Sequence, residues 1–151
     1  MKFVADTSVL SQWLMSPTGF TSAIFRSLEL EFVTPYKSID EIWEHETDWG
    51  RKRSHAEVSR FVDELDFYVH VMFVNRNSRE YLTAESTMKS IDIEDAEFVA
   101  LALQEHCPTW SRDGHFDKQS LVQNVDHKDI KNLVYSIPTF YMALDDDGFI
   151  T

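Results

Sequence analysis

Four carboxylates in this chain, Asp6, Glu41, Asp95 and Asp113, stand where chemistry is readily built. Asp6 directly follows Phe3-Val4-Ala5, a short apolar run of the kind that makes a strand buried on both faces. An acid at the carboxyl end of such a strand lies where open α/β sheets place their sites. Glu41 falls on the helical segment after a second strand, Asp95 opens an apolar helix, and Asp113 follows a fourth strand. In a parallel sheet these points lie on or near one edge. Acids converging there repel one another unless cations sit among them. Oxygen-only ligation suits Mg²⁺ or Mn²⁺ rather than zinc. Two such ions about 3.5–4 Å apart can activate water and stabilise the leaving oxygen in phosphodiester cleavage.

Each acid also has a plainer reading. Asp6 could cap the next helix. Ser38-Ile39-Asp40-Glu41 fits a capping box, with Glu41 reaching back to the helix start. Asp92 and Asp95 could cap the helix they precede and favour its dipole. Asp113 could cap its own turn. It is the set of four, in this order, that points to chemistry. Asp95 is expected to be the third acid rather than Asp92, because it directly precedes a packed helix.

The elements that must position these acids alternate between strand and helix. Residues 9–15 read as a short helix ending near Pro17 and Gly19, and residues 21–30 as a second. Residues 31–34 form a second strand, and Thr34-Pro35 reads as an N-cap with proline at the first helical position. A long amphipathic segment covers residues 51–67, followed by a β-branched and aromatic strand over residues 68–74. Residues 78–88 are helical with Ser78 as N-cap, and residues 96–103 form a helix apolar nearly all round, hence buried. Residues 108–111 make a fourth strand, residues 113–118 a turn or short helix, and residues 121–124 a fifth strand. This order predicts an α/β fold with a central parallel sheet of four or five strands flanked by helices.

Length and composition fit one domain over residues 1–151, with residues 126–151 a C-terminal extension that ends in the acidic Asp145-Asp146-Asp147. Apolar residues make up 43% of the chain and aromatics 13%, which excludes a disordered polypeptide. The lone Cys107 excludes an internal disulfide framework and fits a reducing cytoplasm. No signal-peptide pattern or bilayer-length apolar run occurs, so a cytoplasmic protein without a membrane partner is expected. A net charge of −12 argues against nucleic-acid binding by bulk electrostatics, although acids holding cations remain compatible with a nuclease. Arg51-Lys52-Arg53 is the one dense basic cluster; it reads either as a solvated helix start or as a phosphate clamp. His45 could orient Glu41, and His115 could touch a substrate phosphate, but a lone histidine says little. Trp43, Trp49 and Trp110 read as core or dimer contacts. Gly-rich phosphate loops, Cys/His zinc spacings and Gly-x-Ser-x-Gly elbows are all missing.

The chain resembles the PIN-domain proteins, and in particular the VapC-type toxins and their stand-alone relatives. The likeness rests on Phe3-Val4-Ala5-Asp6-Thr7-Ser8, on Thr34-Pro35 leading to Asp40-Glu41-Ile42 and His45, and on Asp95-Ala96-Glu97-Phe98-Val99-Ala100-Leu101-Ala102-Leu103. It ends with Trp110-Ser111-Arg112-Asp113-Gly114-His115-Phe116 and covers about residues 1–125. The resemblance implies a Mg²⁺- or Mn²⁺-dependent endoribonuclease, with one or two ions held by Asp6, Glu41, Asp95 and Asp113. It also implies that Thr7 or Ser8 orients a ligand or water, that Asp117 is an outer acid, and that a toxin would have an antitoxin partner. A homodimer is expected on the same ground. Asp92 and Glu44 depart from the pattern as competitors for Asp95 and Glu41. The rival readings are a catalytically silent binding or scaffold module and an aspartyl-nucleophile phosphohydrolase; the latter would want a second acid where Ser8 stands.

Overall fold

Asp6 directly follows the central strand of a five-stranded sheet in the computed structural model, which describes residues 1–46 and 53–138. In chain order the elements are β1 (Lys2–Ala5), α1 (Thr7–Met15), α2 (Phe20–Arg26), β2 (Glu31–Pro35) and α3 (Tyr36–Glu44). They continue with α4 (His55–Tyr68), β3 (Val69–Met72), α5 (Arg79–Met88), a 3₁₀ turn (Ile93–Asp95) and α6 (Ala96–Glu105). The last are β4 (Thr109–Trp110), a second 3₁₀ turn (Gly114–Lys118), β5 (Asn124–Val125) and α7 (His127–Tyr135). The strands run in the order β3-β2-β1-β4-β5 and every pairing is parallel. All strand ends that follow the chain direction therefore meet on one edge, as the sequence predicts.

The period of two in β1 divides the core. Phe3 and Ala5 enter one apolar cluster with Trp13, Phe25 and Trp110, while Val4 enters the other with Val99, Leu101 and Phe116. The first cluster is aromatic. Trp110 is stacked on Phe25 with ring centroids 5.1 Å apart, and Trp13 lies 4.9 Å from Phe25 and edge-on to Phe61 at 5.0 Å. Helix α6 is apolar all round because it is buried on every side: Phe98, Val99, Ala100, Leu101 and Ala102 are fully covered. Trp110 is thus a core residue, and Trp43 packs at the margin of the same cluster.

Four local expectations are corrected. Pro35 closes β2 and stands just before α3, so Tyr36, not proline, is the first helical residue. Ser38 lies inside α3, where its Oγ donates to Pro35 O at 2.9 Å, so Ser38 and Glu41 do not make a capping box. Helix α2 stops at Arg26 rather than near residue 30, and Leu28 beyond it adopts a left-handed φ of 60°. The fifth strand begins at Asn124 rather than at residue 121. There the buried Gln119 intervenes, its Oε1 accepting from Leu121 N at 2.9 Å and Val122 N at 3.1 Å. A side chain has taken the amides that strand pairing would have used.

Other ends follow ordinary rules. Ser78 caps α5 by accepting from Tyr81 N, Ser54 caps α4 through Glu57 N, and Asp126 with Asp129 forms a capping box on α7. Trp49, Arg51, Lys52 and the acidic tail lie outside the described residues. Among the described residues no helix is long and apolar enough to cross a membrane.

Candidate metal centre

Asp6 serves two readings at once. It is the N-cap of α1, its Oδ2 accepting from Ser8 N at 3.3 Å, and it is buried at the centre of the strand-end edge with 5% exposure. The same Oδ2 accepts from Ser111 Oγ at 2.7 Å, while Asp6 N donates to Trp110 O at 3.0 Å. Burial pushes the Asp6 carboxyl above its ordinary value, against the opposing pull of Ser111 and Ser8.

Glu41 projects from the second turn of α3 and is half-buried. Its pKa is raised, first by burial and then by the Asp6 charge, while the Thr7 hydroxyl holds it down. That hydroxyl faces Glu41 yet completes no well-aligned hydrogen bond among the described residues.

Asp95 ends the first 3₁₀ turn, at the start of α6, with a side chain 13% exposed. Its pKa is pushed up to about 7, by burial first and then by the charges of Asp6, Asp92 and Asp113, with His115 opposing. Asp113 caps the second 3₁₀ turn, its Oδ1 accepting from His115 N at 2.9 Å. Of the four acids expected from sequence, Asp95 feels the charges of Asp6 and Asp113, and Glu41 feels that of Asp6.

Asp92 does both jobs that were weighed for it. It caps its turn by accepting from Glu94 N at 3.0 Å, and it also faces the cluster. His115 stands among the acids, with Nδ1 3.2 Å from Asp92 Oδ2, 3.5 Å from Asp95 Oδ2 and 3.2 Å from Asp113 Oδ1. None of these approaches is aligned as a hydrogen bond, and both His115 Nδ1 and Asp95 Oδ2 are buried without a hydrogen-bond partner among the described residues. One ligand atom from each of Asp92, Asp95 and His115 lies within 4.8 Å of the others. Carboxylates repelling at close range, with an orphaned buried oxygen among them, are a donor set that a hard divalent cation fits.

Ser111 has no strong signal in sequence beyond standing two residues before Asp113. Its Oγ donates to Asp6 and accepts from Asp113 N at 2.9 Å, tying β1 to the turn after β4. Ser8 Oγ lies 3.4 Å from Ser111 Oγ and accepts from Arg112 N at 3.0 Å, which completes the tie. Removing the Ser111 hydroxyl strips a buried carboxylate of a donor, a loss of about 1.5–3 kcal/mol for a hydrogen bond to a charged group. Denaturant unfolding of Ser111→Ala at pH 8 in EDTA is expected to show a midpoint lowered accordingly. An unchanged midpoint would mean that Ser8 alone holds Asp6.

The remaining candidates sit elsewhere. Asp117 is exposed and accepts from Asn124 Nδ2 at 3.2 Å. Arg53 donates to the last carbonyls of α1, Leu14 O at 3.2 Å and Met15 O at 2.9 Å. A nine-residue helix rises about 13 Å, so Arg53 marks the end of α1 remote from Asp6. His45 is exposed at the end of α3, its N–H bonded to Glu41 O.

A family model described as PIN domain matches residues 4–128. A chain of VapBC2 from Rickettsia felis, solved bound to a DNA fragment from their promoter, shares the fold with a TM-score of 0.64 at 8% identity. The match covers 83% of this chain and 98% of that one. A chain of VapBC-1 from nontypeable Haemophilus influenzae superposes with a TM-score of 0.62 at 16% identity, again over 83% of this chain and 98% of its own. No protein of curated function matches the sequence.

Proposed function

The chain belongs to the PIN-domain family, and on that premise we propose that it is a Mg²⁺- or Mn²⁺-dependent endoribonuclease, acting in the cytoplasm as the toxin of a toxin–antitoxin pair. What supports this reading is a buried Asp95 oxygen that no hydrogen-bond donor among the described residues satisfies, grouped with Asp92 and His115 and facing the charges of Asp6 and Asp113; the ligand set proposed is Asp6, Glu41, Asp95 and Asp113. Those four residues would hold one or two ions. When bound, the cation supplies charge that neutralises the acids, polarises a phosphodiester and acidifies water.

The chain's own residues do the positioning. Ser111 and Ser8 fix the Asp6 carboxylate from two sides, and Thr7 faces Glu41. The 3₁₀ turns before α6 and after β4 carry Asp95 and Asp113, which both approach His115 Nδ1, at 3.5 and 3.2 Å. In this reading His115, beside Asp113, would meet a substrate phosphate, and Asp117, exposed and bonded to Asn124, would act only from outside the set. An antitoxin and a second copy of the chain are the protein partners of this reading, which treats residues 1–151 as one domain.

The test is incubation of the protein with a mixed RNA pool in Mn²⁺, in Mg²⁺ and in EDTA. Cleavage with either cation and none in EDTA is expected. RNA left intact under all three conditions would overturn the reading.

A further inference from the structure

The two sides of the strand-end edge differ in how their cations are engaged. On the β2–β3 side a cleft of about 590 Å³ is lined by Asp40, Glu41, Glu44, Glu94 and Glu97. Its two cations are already engaged, Lys37 with Glu94 at 2.7 Å and Arg76 with Glu97 at 3.0 Å. A polyanion would be repelled there.

The β4–β5 side is different. Trp110 and Val125 are register partners on adjacent parallel strands. Arg112 and His127, each two residues further on, consequently lie side by side at the edge, with Asp113 immediately after Arg112. One helical turn beyond His127, Lys131 lies on the same face of α7. The Phe20 ring confirms the neighbourhood: its centroid is 5.8 Å from that of His127 and 5.6 Å from Lys131 Nζ. Arg112 and Lys131 are both exposed. Among the described residues the Arg112 guanidinium has the neutral Gln12 Oε1 as its side-chain partner, at 2.7 Å, and no ion pair. Asp126 and Asp129, at the start of α7, are turned to each other's backbone in its capping box. The His127 imidazole is held below its ordinary value by burial and then by the charges of Arg112 and Lys131, as befits a residue between two cations.

We propose that Arg112 and Lys131, flanking His127, form the track that holds the RNA backbone on the β4–β5 side of the acid cluster, so that the strand enters over β4 and β5 and not through the cleft at Glu41. This rests on the endoribonuclease reading and adds to it the direction from which substrate arrives. The track touches the site through Arg112, whose backbone is fixed to Ser8 and whose neighbour is Asp113. Of the basic cluster expected from sequence, Arg53 is spent on the far end of α1, while Arg51 and Lys52 lie outside the described residues.

The test is fluorescence anisotropy of a short, fluorescein-labelled, mixed-sequence RNA with the full chain in EDTA over a salt series. Each phosphate contact to a single strand contributes about 0.7 to the slope of log affinity against log salt. The double variant Arg112→Ala/Lys131→Ala should therefore lose about 1.4 from that slope and bind at least about tenfold more weakly at low salt. The charge-preserving pair Arg112→Lys/Lys131→Arg should keep the parental slope, which separates loss of charge from loss of fold. The control Lys37→Ala/Arg76→Ala should leave it unchanged. A slope unaltered in the first double variant, or lowered equally in the control, overturns the track. If the parent then still cleaves RNA with Mn²⁺, the nuclease reading stands without it. A parent that neither binds nor cleaves RNA overturns both.

Discussion

An Asp6→Asn variant should cleave RNA at least about a hundredfold more slowly than the parent in Mn²⁺, the scale of losing a charge-stabilising group at a reacting centre. The substitution isolates charge from shape. An amide oxygen can still accept from Ser8 N and Ser111 Oγ, so the cap on α1 and the tie to the turn after β4 are retained. What is lost is the negative charge at the most buried acid of the set. Asp95→Asn should cost as much, and Asp92→Asn clearly less, because Asp92 is more exposed and is partly committed to capping Glu94. Single-turnover cleavage of the RNA pool, with circular dichroism to confirm folding, provides the measurement. Equal rates for Asp6→Asn and the parent would sink the catalytic assignment, and a larger loss in Mn²⁺ affinity at position 92 than at 95 would exchange those two acids.

The second large effect concerns stability. Asp95 has an ordinary carboxyl in the unfolded chain, near 3.8, and one raised to about 7 in the fold. Between those values the folded state binds more protons than the unfolded state, so stability without metal falls as pH rises through that window. The shift corresponds to about 4 kcal/mol at most, shared among the acids that repel one another. Asp6 and Glu41 are raised as well and act in the same direction. Asp95→Asn removes the titrating group. In EDTA the variant and the parent should melt alike near pH 4, and the variant should melt higher at pH 8. Excess Mn²⁺ should reverse the order at pH 8, because a ligand at a hundred times its dissociation constant stabilises the parent by about 2.7 kcal/mol and the variant by less. Melting curves that stay parallel across pH in EDTA would show that the acids do not burden one another, and the case for a cation among them would lose its physical basis.

Much of this site could be read from residue order. The acids at 6, 41, 95 and 113 follow strands or open helices, and a parallel sheet brings such points to one edge whatever the details of its packing. The apolar character of α6 announced its burial, and Ser78 announced the start of α5, because both signals are local. The errors arose where tertiary partners outcompete local preference. Ser38 followed by Glu41 has the spacing of a capping box, but β2 runs on through Pro35 and the helix starts too early for Ser38 to be its cap. Leu121 and Val122 look like a strand until Gln119 claims their amides. The bond from Ser111 to Asp6 spans 105 residues, and no spacing rule reaches so far. Arg112 and His127 are not a cluster in sequence at all; only the register of β4 against β5 makes them neighbours.

Strand β1 pairs with β2 on one side and with β4 on the other. The first of these partners is made soon after β1, but the second follows only after α6. Any fragment growing from the amino terminus and stopping before Thr109 thus carries an unpaired edge on its central strand, and lacks Ser111 to hold Asp6 and Asp113 to complete the acids. On the nuclease reading, a ribosome making this chain withholds the full set of acids until β4 has left the exit tunnel and paired with β1.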